Sequence, residues 1–181
     1  MTSPANEHFC TFIVMSAEII YYNSPLGILR LTGEHEALTE IHFLNPEKED
    51  AVNDLQTETI SPVLKKCIQQ LDKYFSGDIT AFDLPLSQNG TSFQKRVWDA
   101  LCVIPYGRTI SYMELSKRLG DPKAIRAVGT ANGKNNIAIV VPCHRVIGSN
   151  GSLVGYGGEL WRKQWLLNHE AKYANGVQEL F

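Results

Sequence analysis

No apolar stretch of the 181-residue sequence approaches the length of a bilayer: the longest runs, FIVM at 12–15 and IAIVV at 137–141, are a small fraction of what a membrane helix needs. The opening residues, MTSPANEH, carry no basic region of the kind that begins a secretory signal, so the expectation is a cytoplasmic protein without a membrane partner. Cysteine is scarce. Cys10, Cys67, Cys102 and Cys143 stand far apart with no CxxC pair, which excludes a disulfide framework and a zinc knuckle and leaves four free thiols. Repeats, low-complexity tracts and blocks of like charge are absent as well. GYGG at 155–158 follows neither a Walker nor a dinucleotide pattern, so no phosphate-binding cofactor is expected.

What remains is an ordinary globular composition, 44% hydrophobic and 20% charged, in a chain long enough to bury a core without staples. The net charge of -2 conceals an asymmetry. Residues 1–90 hold 5 Lys and Arg against 13 Asp and Glu, whereas residues 91–181 hold 12 against 6. An acidic half joined to a basic half has two explanations: the second half meets a polyanion, or the halves attract one another.

The pattern of residues divides the chain at the same place. CTFIVMSAEIIYYNSPLGILRLTG and EALTEIHFL are β-branched and apolar runs bounded by turn residues, and they read as antiparallel strands. SPVLKKCIQQLDKYFSG reads as a helix with Ser61 as cap, Pro62 in the first turn and Gly77 at the end. Val63, Leu64, Cys67, Ile68, Leu71, Tyr74 and Phe75 share its apolar face, which makes Cys67 a core residue. DLPLSQNG at 83–90 is the joint. Beyond it TSFQ and SYME match the capping box, so Thr91 and Ser111 start helices; Cys102 adjoins the first helix's apolar face and reads as packing. A third helix is expected from DPKAIRAVGTAN, with Asp121 as cap, and the tight turn at Gly120 makes a helix-turn-helix candidate. Its small residues Ala127, Gly129 and Ala131, with Arg126 among them, permit close approach of a DNA groove or of a neighbouring helix. NNIAIVVPC reads as a buried strand ended by Pro142, and the tail as a glycine-rich loop followed by a helix carrying His169 and Glu170.

VVPCHRVIG, residues 140–148, sets a lone cysteine beside a histidine at the end of that strand. A nucleophilic thiol needs a partner that draws off its proton. His144 is adjacent, yet neighbours on an extended chain point to opposite faces, so contact between them requires a bend or a bridging water. Glu170 is available to orient the imidazole, as a carboxylate does in other nucleophilic relays. On these residues alone a packed core thiol and a nucleophile both stand.

PCHRVI, with RAVGTANGKNN upstream and GYGGELWRKQWLLNHE downstream, strongly resembles the O6-alkylguanine-DNA alkyltransferase family, also called methylated-DNA–protein-cysteine methyltransferases. The resemblance is densest from Thr91 to Glu170 and extends more loosely through NSPLGILRLTG and FDLPL. It implies an α+β fold: a ribonuclease-H-like β-sheet domain with a helix over residues 1–90, and a mostly helical domain over 91–181 that contains the helix-turn-helix and the acceptor cysteine. The implied activity is stoichiometric repair of O6-methylguanine, and of O4-methylthymine, in double-stranded DNA, by a monomer that needs no cofactor. Carried over by residue, Cys143 is the acceptor, His144 (through a water) and Glu170 form the relay, and Asn135 braces the active-site turn. Tyr112 helps extrude the nucleotide and donates to the departing purine, and Arg126 fills the gap in the base stack. Ala127, Gly129 and Ala131 form the small face that enters the minor groove. Tyr156, Gly157 and Val146 line or read the base pocket.

This sequence departs from the pattern in two places. Members of animal type hold structural zinc in the N-terminal half, where this chain has Glu34 and Thr39; with His8, His35, His42 and Cys10 scattered, no metal site is expected. Gly157 stands where some relatives carry a hydroxyl residue, which keeps a backbone donor and removes a side-chain contact. Two rival functions are a non-catalytic sensor of alkylated DNA, whose kind lacks the acceptor cysteine, and a cysteine hydrolase, which would turn over repeatedly without DNA.

Overall fold

The computed structural model describes residues 17–44 and 60–174. The N-terminal part of the strand-rich opening, with His8 and Cys10, lies outside the described residues. Strands β1 (Glu18–Ser24), β2 (Gly27–Glu34) and β3 (Ala37–Phe43) form an antiparallel meander in that order. Leu29 and Leu31 of β2 and Ile41 and Phe43 of β3 turn to the core in the alternation of a sheet wet on one face, and a register shift at Thr32/Gly33 brings Leu38 inward as well. Helix α1 (Pro62–Ser76) lies across the sheet with Val63, Leu64, Cys67, Leu71 and Tyr74 buried.

Its start differs from the sequence expectation. Ser61 makes no side-chain cap; instead the Ser61 backbone N–H donates to the Glu18 carboxylate at 3.0 and 3.2 Å, so a strand residue supplies the acceptor. Its end is as expected: Gly77 takes the left-handed conformation (φ 87°), open to glycine at least cost, and its N–H returns to the last carbonyls.

The C-terminal half holds α2 (Ser92–Cys102), β4 (Ile110–Ser111), α3 (Tyr112–Arg118), α4 (Ile125–Gly133), β5 (Val146–Ile147) and α5 (Leu160–Ala174), with β4 and β5 paired in parallel. The box at α2 is complete: Gln94 N–H donates to Thr91 Oγ1 and Thr91 N–H to Gln94 Oε1. At α3 only half forms, because the Glu114 carboxylate accepts from Arg118 Nε one turn on (3.1 Å) instead of reaching back. Helix α4 begins later than its pattern suggests, at Ile125. Asp121 does not cap it; the Asp121 carboxylate and carbonyl accept from Lys123 and Ala124 N–H and close a separate turn first.

The largest departure is at 136–142, where no strand forms. Ile137 alone bridges to Ile41, Ile139 has φ 70°, and the segment is a buried turn. An apolar run does not distinguish a strand from any other buried segment, and here a side chain replaces the ladder: Asn135 accepts from Ile137 N–H and donates to Val141 O at 2.8 Å. The linker does what a fourth strand would, since Leu38 N–H donates to Pro85 O and Ser87 N–H to Leu38 O. Together with the Ile41 N–H to Asn136 O bond, this seals the outer edge of β3 with the linker and one segment of the basic half. The apolar core runs unbroken from Ile20 to Leu166.

Candidate active site

The buried turn delivers Cys143 to the start of a 3-10 helix, Cys143–Arg145, so Cys143 and His144 do not occupy opposite faces of an extended chain. The Cys143 thiol is buried, and Asn135 Nδ2 lies 3.1 Å from its Sγ while the Asn135 Oδ1 accepts from Gln88 Nε2. One asparagine thus braces the turn, ties in the linker and reaches the sulfur. Burial pushes the thiol up, opposed by the Asn135 donor and the positive charge of Lys163.

On the other side of the turn, His144 Nε2 lies 2.8 Å from Glu170 Oε1, with both side chains fully buried. The ionised carboxylate only accepts, so Nε2 carries the proton and Nδ1 keeps its lone pair. Nδ1 is buried and has no hydrogen-bond partner among the described residues. Burial lowers the His144 pKa, with Glu170 pulling the other way, so the ring rests neutral with a free basic nitrogen.

Burial also pushes Glu170 up, but hydrogen bonds and charge from His144 and Arg145 outweigh it and hold the carboxyl well below the usual range. Arg145 donates through Nε and Nη2 to the carboxylate and through Nη1 to Ile104 O at 2.6 Å; the Gly107 N–H and the Tyr74 hydroxyl complete the shell. On the acid side these two groups act together. A carboxyl depressed on folding contributes stability that is present above its unfolded pKa and is lost as pH falls through the folded one, and the depressed His144 behaves alike. The melting temperature is therefore expected to fall progressively from about pH 6.5 downward, and steeply below about pH 4. Thermal melts from pH 7 to 3 check this; a flat profile to pH 4 contradicts it.

Cys143 and Asn135 line a cavity of about 170 Å³ whose wall is shared between the halves: Ile41 and Phe43 from β3 face Tyr156, Gly157 and Gly158 from the loop before α5. Gly158 allows the close approach, since a Cβ there would stand 2.6 Å from the Phe43 ring. Tyr112 stands beside this loop, its hydroxyl donating to Val154 O at 3.2 Å. Val146 does not line the cavity. It is buried, and its carbonyl accepts from Lys163 Nζ at 2.6 Å. On α4, Arg126 and Ala127 are exposed and Gly129 faces Tyr112, whereas Ala131 is turned inward and its carbonyl accepts from Trp98 Nε1. The small residues therefore divide between an outer surface and a helix contact. Cys67 is fully buried, while Cys102, expected to pack, is exposed at the last turn of α2. Among the described residues no group of His, Cys, Asp or Glu could hold a metal ion, and no helix is long and apolar enough to cross a membrane.

The sequence missed Arg145, Lys163 and Tyr74. Arg145 sits within PCHR, but nothing in the spacing marks it as buried. Lys163 has a faint signal: it is three residues before Leu166 and seven before Glu170, on the inward face of α5. Its ammonium donates to Val146 O and Val154 O, and burial lowers its pKa to about 8 against the pull of Cys143.

Comparison with known proteins gives one answer over nearly all of the described chain. Residues 92–172 match the family model described as 6-O-methylguanine DNA methyltransferase, DNA binding domain, and residues 19–88 match its ribonuclease-like domain. The methylated-DNA–protein-cysteine methyltransferase of Methanosarcina acetivorans is 46% identical over 149 residues, covering 82% of this chain and 95% of the relative. That of Mycobacterium leprae is 47% identical over 148 residues, covering 82% and 88%. Among solved structures, Mycobacterium tuberculosis OGT in complex with DNA superposes with a TM-score of 0.74 at 44% identity, covering 84% of this chain and 92% of that one. The M. tuberculosis O6-methylguanine methyltransferase gives 0.74 at 40% identity, covering 91% and 98%.

Proposed function

The chain belongs to the 6-O-methylguanine DNA methyltransferase family, and from that premise we propose that it repairs DNA by moving the methyl group of O6-methylguanine, and of O4-methylthymine, onto its own Cys143. The observation that carries the assignment is the pairing of a thiol 3.1 Å from Asn135 with a neutral imidazole locked to Glu170, both delivered by one turn whose cysteine lines a cavity.

The chemistry follows from the charges. Cys143 gives its proton toward the free Nδ1 of His144, through a bridging water, and the resulting imidazolium is held by Glu170, already ionised. Asn135 Nδ2 and the Lys163 ammonium stabilise the sulfur as it becomes a thiolate. Sulfur attacks the methyl carbon as the carbon–oxygen bond breaks, and the electron pair leaves on the purine, which takes up a proton with Tyr112 as the donor to the ring; the proton held on His144 then returns through water to the Tyr112 oxygen, so both groups end neutral. The product is a thioether, from which no free thiol returns, so each molecule acts once.

A base inside the duplex hides its reactive atom, and flipping it out costs about a few kcal/mol, less for a damaged pair. Arg126, exposed on α4, fills the gap, with Ala127 and Gly129 admitting the minor-groove backbone; the basic residues 91–181 hold phosphates without regard to sequence. Tyr156, with the Gly157 backbone, walls the extruded base. The division of labour is a supporting domain over residues 1–90 and a DNA-binding, acceptor domain over 91–181. The protein acts as a monomer, in the cytoplasm and without a cofactor.

A duplex carrying one O6-[³H-methyl]guanine tests the reading. Label is expected on the protein at one equivalent, with no further transfer when substrate is in excess. Repeated turnover, or release of the label as methanol, would contradict it and indicate a hydrolase.

A further inference from the structure

We infer that Tyr74, which lies in the N-terminal half and far from the acceptor segment in sequence, is a positioning residue for methyl transfer: its hydroxyl fixes the Glu170 carboxylate that fixes His144. The inference rests on the relay reading of Cys143, His144 and Glu170 given above. It assigns to the N-terminal half a part in the chemistry beyond support.

Tyr74 occupies the last turns of α1 and is fully buried. Its hydroxyl donates to Glu170 Oε1 at 2.9 Å, the same oxygen that lies 2.8 Å from His144 Nε2. At its other end, the Tyr74 carbonyl accepts from His169 Nε2 at 2.8 Å, so consecutive residues of α5 grip one tyrosine by both ends. The ring cannot swing aside. Phe75 and Tyr106 meet it edge-on, with centroids 5.4 and 6.0 Å away, and Phe82 and His169 lie at 5.3 and 5.2 Å. A buried tyrosine hydroxyl needs a partner, and a buried carboxylate needs donors from fixed directions. Here each supplies the other. Burial and the Glu170 charge raise the phenol well above its ordinary value, so it stays a donor throughout the working range.

The two carboxylate oxygens carry different sets of partners, with Arg145 Nε reaching both. Oε2 is held by Gly107 N–H and, at 2.9 Å, Arg145 Nε, and Oε1 is divided among Tyr74, Arg145 Nη2, His144 and a longer 3.2 Å contact from the same Nε. Removing the Tyr74 donor leaves Oε1 richer in charge, which draws the His144 proton more strongly and makes the imidazole more basic. The other groups facing this pair are Cys143 and Arg145 from the same turn, Lys163 from α5 and Tyr106 from the loop after α2. Tyr74→Phe keeps the ring that packs on Tyr106 and removes the hydroxyl alone, so a shift in the relay belongs to the lost donor.

The test is single-turnover transfer from an O6-methylguanine duplex across pH 5 to 8 with the full chain. Tyr74→Phe is expected to lower the saturating rate about tenfold, move the acid limb of the profile to higher pH and leave duplex affinity unchanged. Replacing Tyr74 with 3-fluorotyrosine keeps the ring and strengthens the donor, so the acid limb moves to lower pH. Phe75→Leu, a packing change on the same helix, lowers the melting temperature without moving the limb. An unchanged rate and limb in Tyr74→Phe overturns the inference, as does a rate loss with no movement of the limb in either Tyr74 variant. Should the parent protein fail to methylate Cys143, the relay reading fails instead, and the two failures are told apart by that control.

Discussion

Replacing Cys143 with alanine abolishes methyl transfer while leaving affinity for an O6-methylguanine duplex within about a factor of 3 of the parent. Cys143 lines the cavity, whereas Arg126 stands outside it on the exposed side of α4. Removing one buried sulfur costs about 1 kcal/mol, too little to unfold the domain. Electrophoretic shift with the modified duplex and a label-transfer assay on the same preparation separate the two effects. Residual transfer at even a few per cent of the parent rate would mean that another group is the acceptor. Cys67 cannot substitute on physical grounds, being sealed in the core on the inner face of α1 with its thiol raised to about 12 by burial. Cys102 reaches the surface at the end of α2, but partial desolvation of its sulfur and the charge of Asp99 raise its thiol, and among the described residues no histidine or asparagine is hydrogen-bonded to it.

Glu170→Gln is expected to have the largest effect on stability. The substitution keeps the shape and removes the charge that Arg145, His144, Tyr74 and Gly107 all address. Removing one member of a buried pair leaves the other uncompensated, at about 3–5 kcal/mol, which for a chain of this size lowers the melting temperature by about 10 °C. Transfer slows about 100-fold, because the neutral amide no longer holds the imidazolium. Melting curves and single-turnover rates measure both. A double variant, Glu170→Gln with Arg145→Met, separates them further: the orphaned charge is gone, so stability partly returns while transfer does not. If transfer returned with stability, Glu170 would be a structural anchor and not part of the relay.

How much of this was legible in the sequence depends on the kind of signal. Elements with a strong local signal were readable: the strands of the meander follow from β-branched and apolar runs bounded by turn residues, and the apolar face of α1 from helical spacing. Boundaries set by competition between polar groups were not. Ser61 makes no side-chain cap and gives its own N–H to Glu18, Glu114 was drawn to Arg118, and Asp121 closed a turn before α4, each a choice among polar partners that spacing leaves open. The 136–142 segment failed for a different reason, since nothing in IAIVV announces that Asn135 will satisfy its backbone and allow Ile139 a positive φ. At the site, Cys143, His144, Asn135 and Glu170 were all readable by resemblance, and the structure brings them together around one turn. Arg145, Lys163 and Tyr74 escaped because a buried charge or hydroxyl on a core face looks, in sequence, like any surface lysine or packing aromatic.

The most direct measurement is the intact mass of the protein after reaction with a duplex containing one O6-methylguanine, followed by peptide mapping. The account predicts a gain of a single methyl group, located on the peptide that holds Cys143, with the Cys67 and Cys102 peptides unchanged. Methylation on either of those peptides, or an unchanged mass despite tight binding of the duplex, would contradict it.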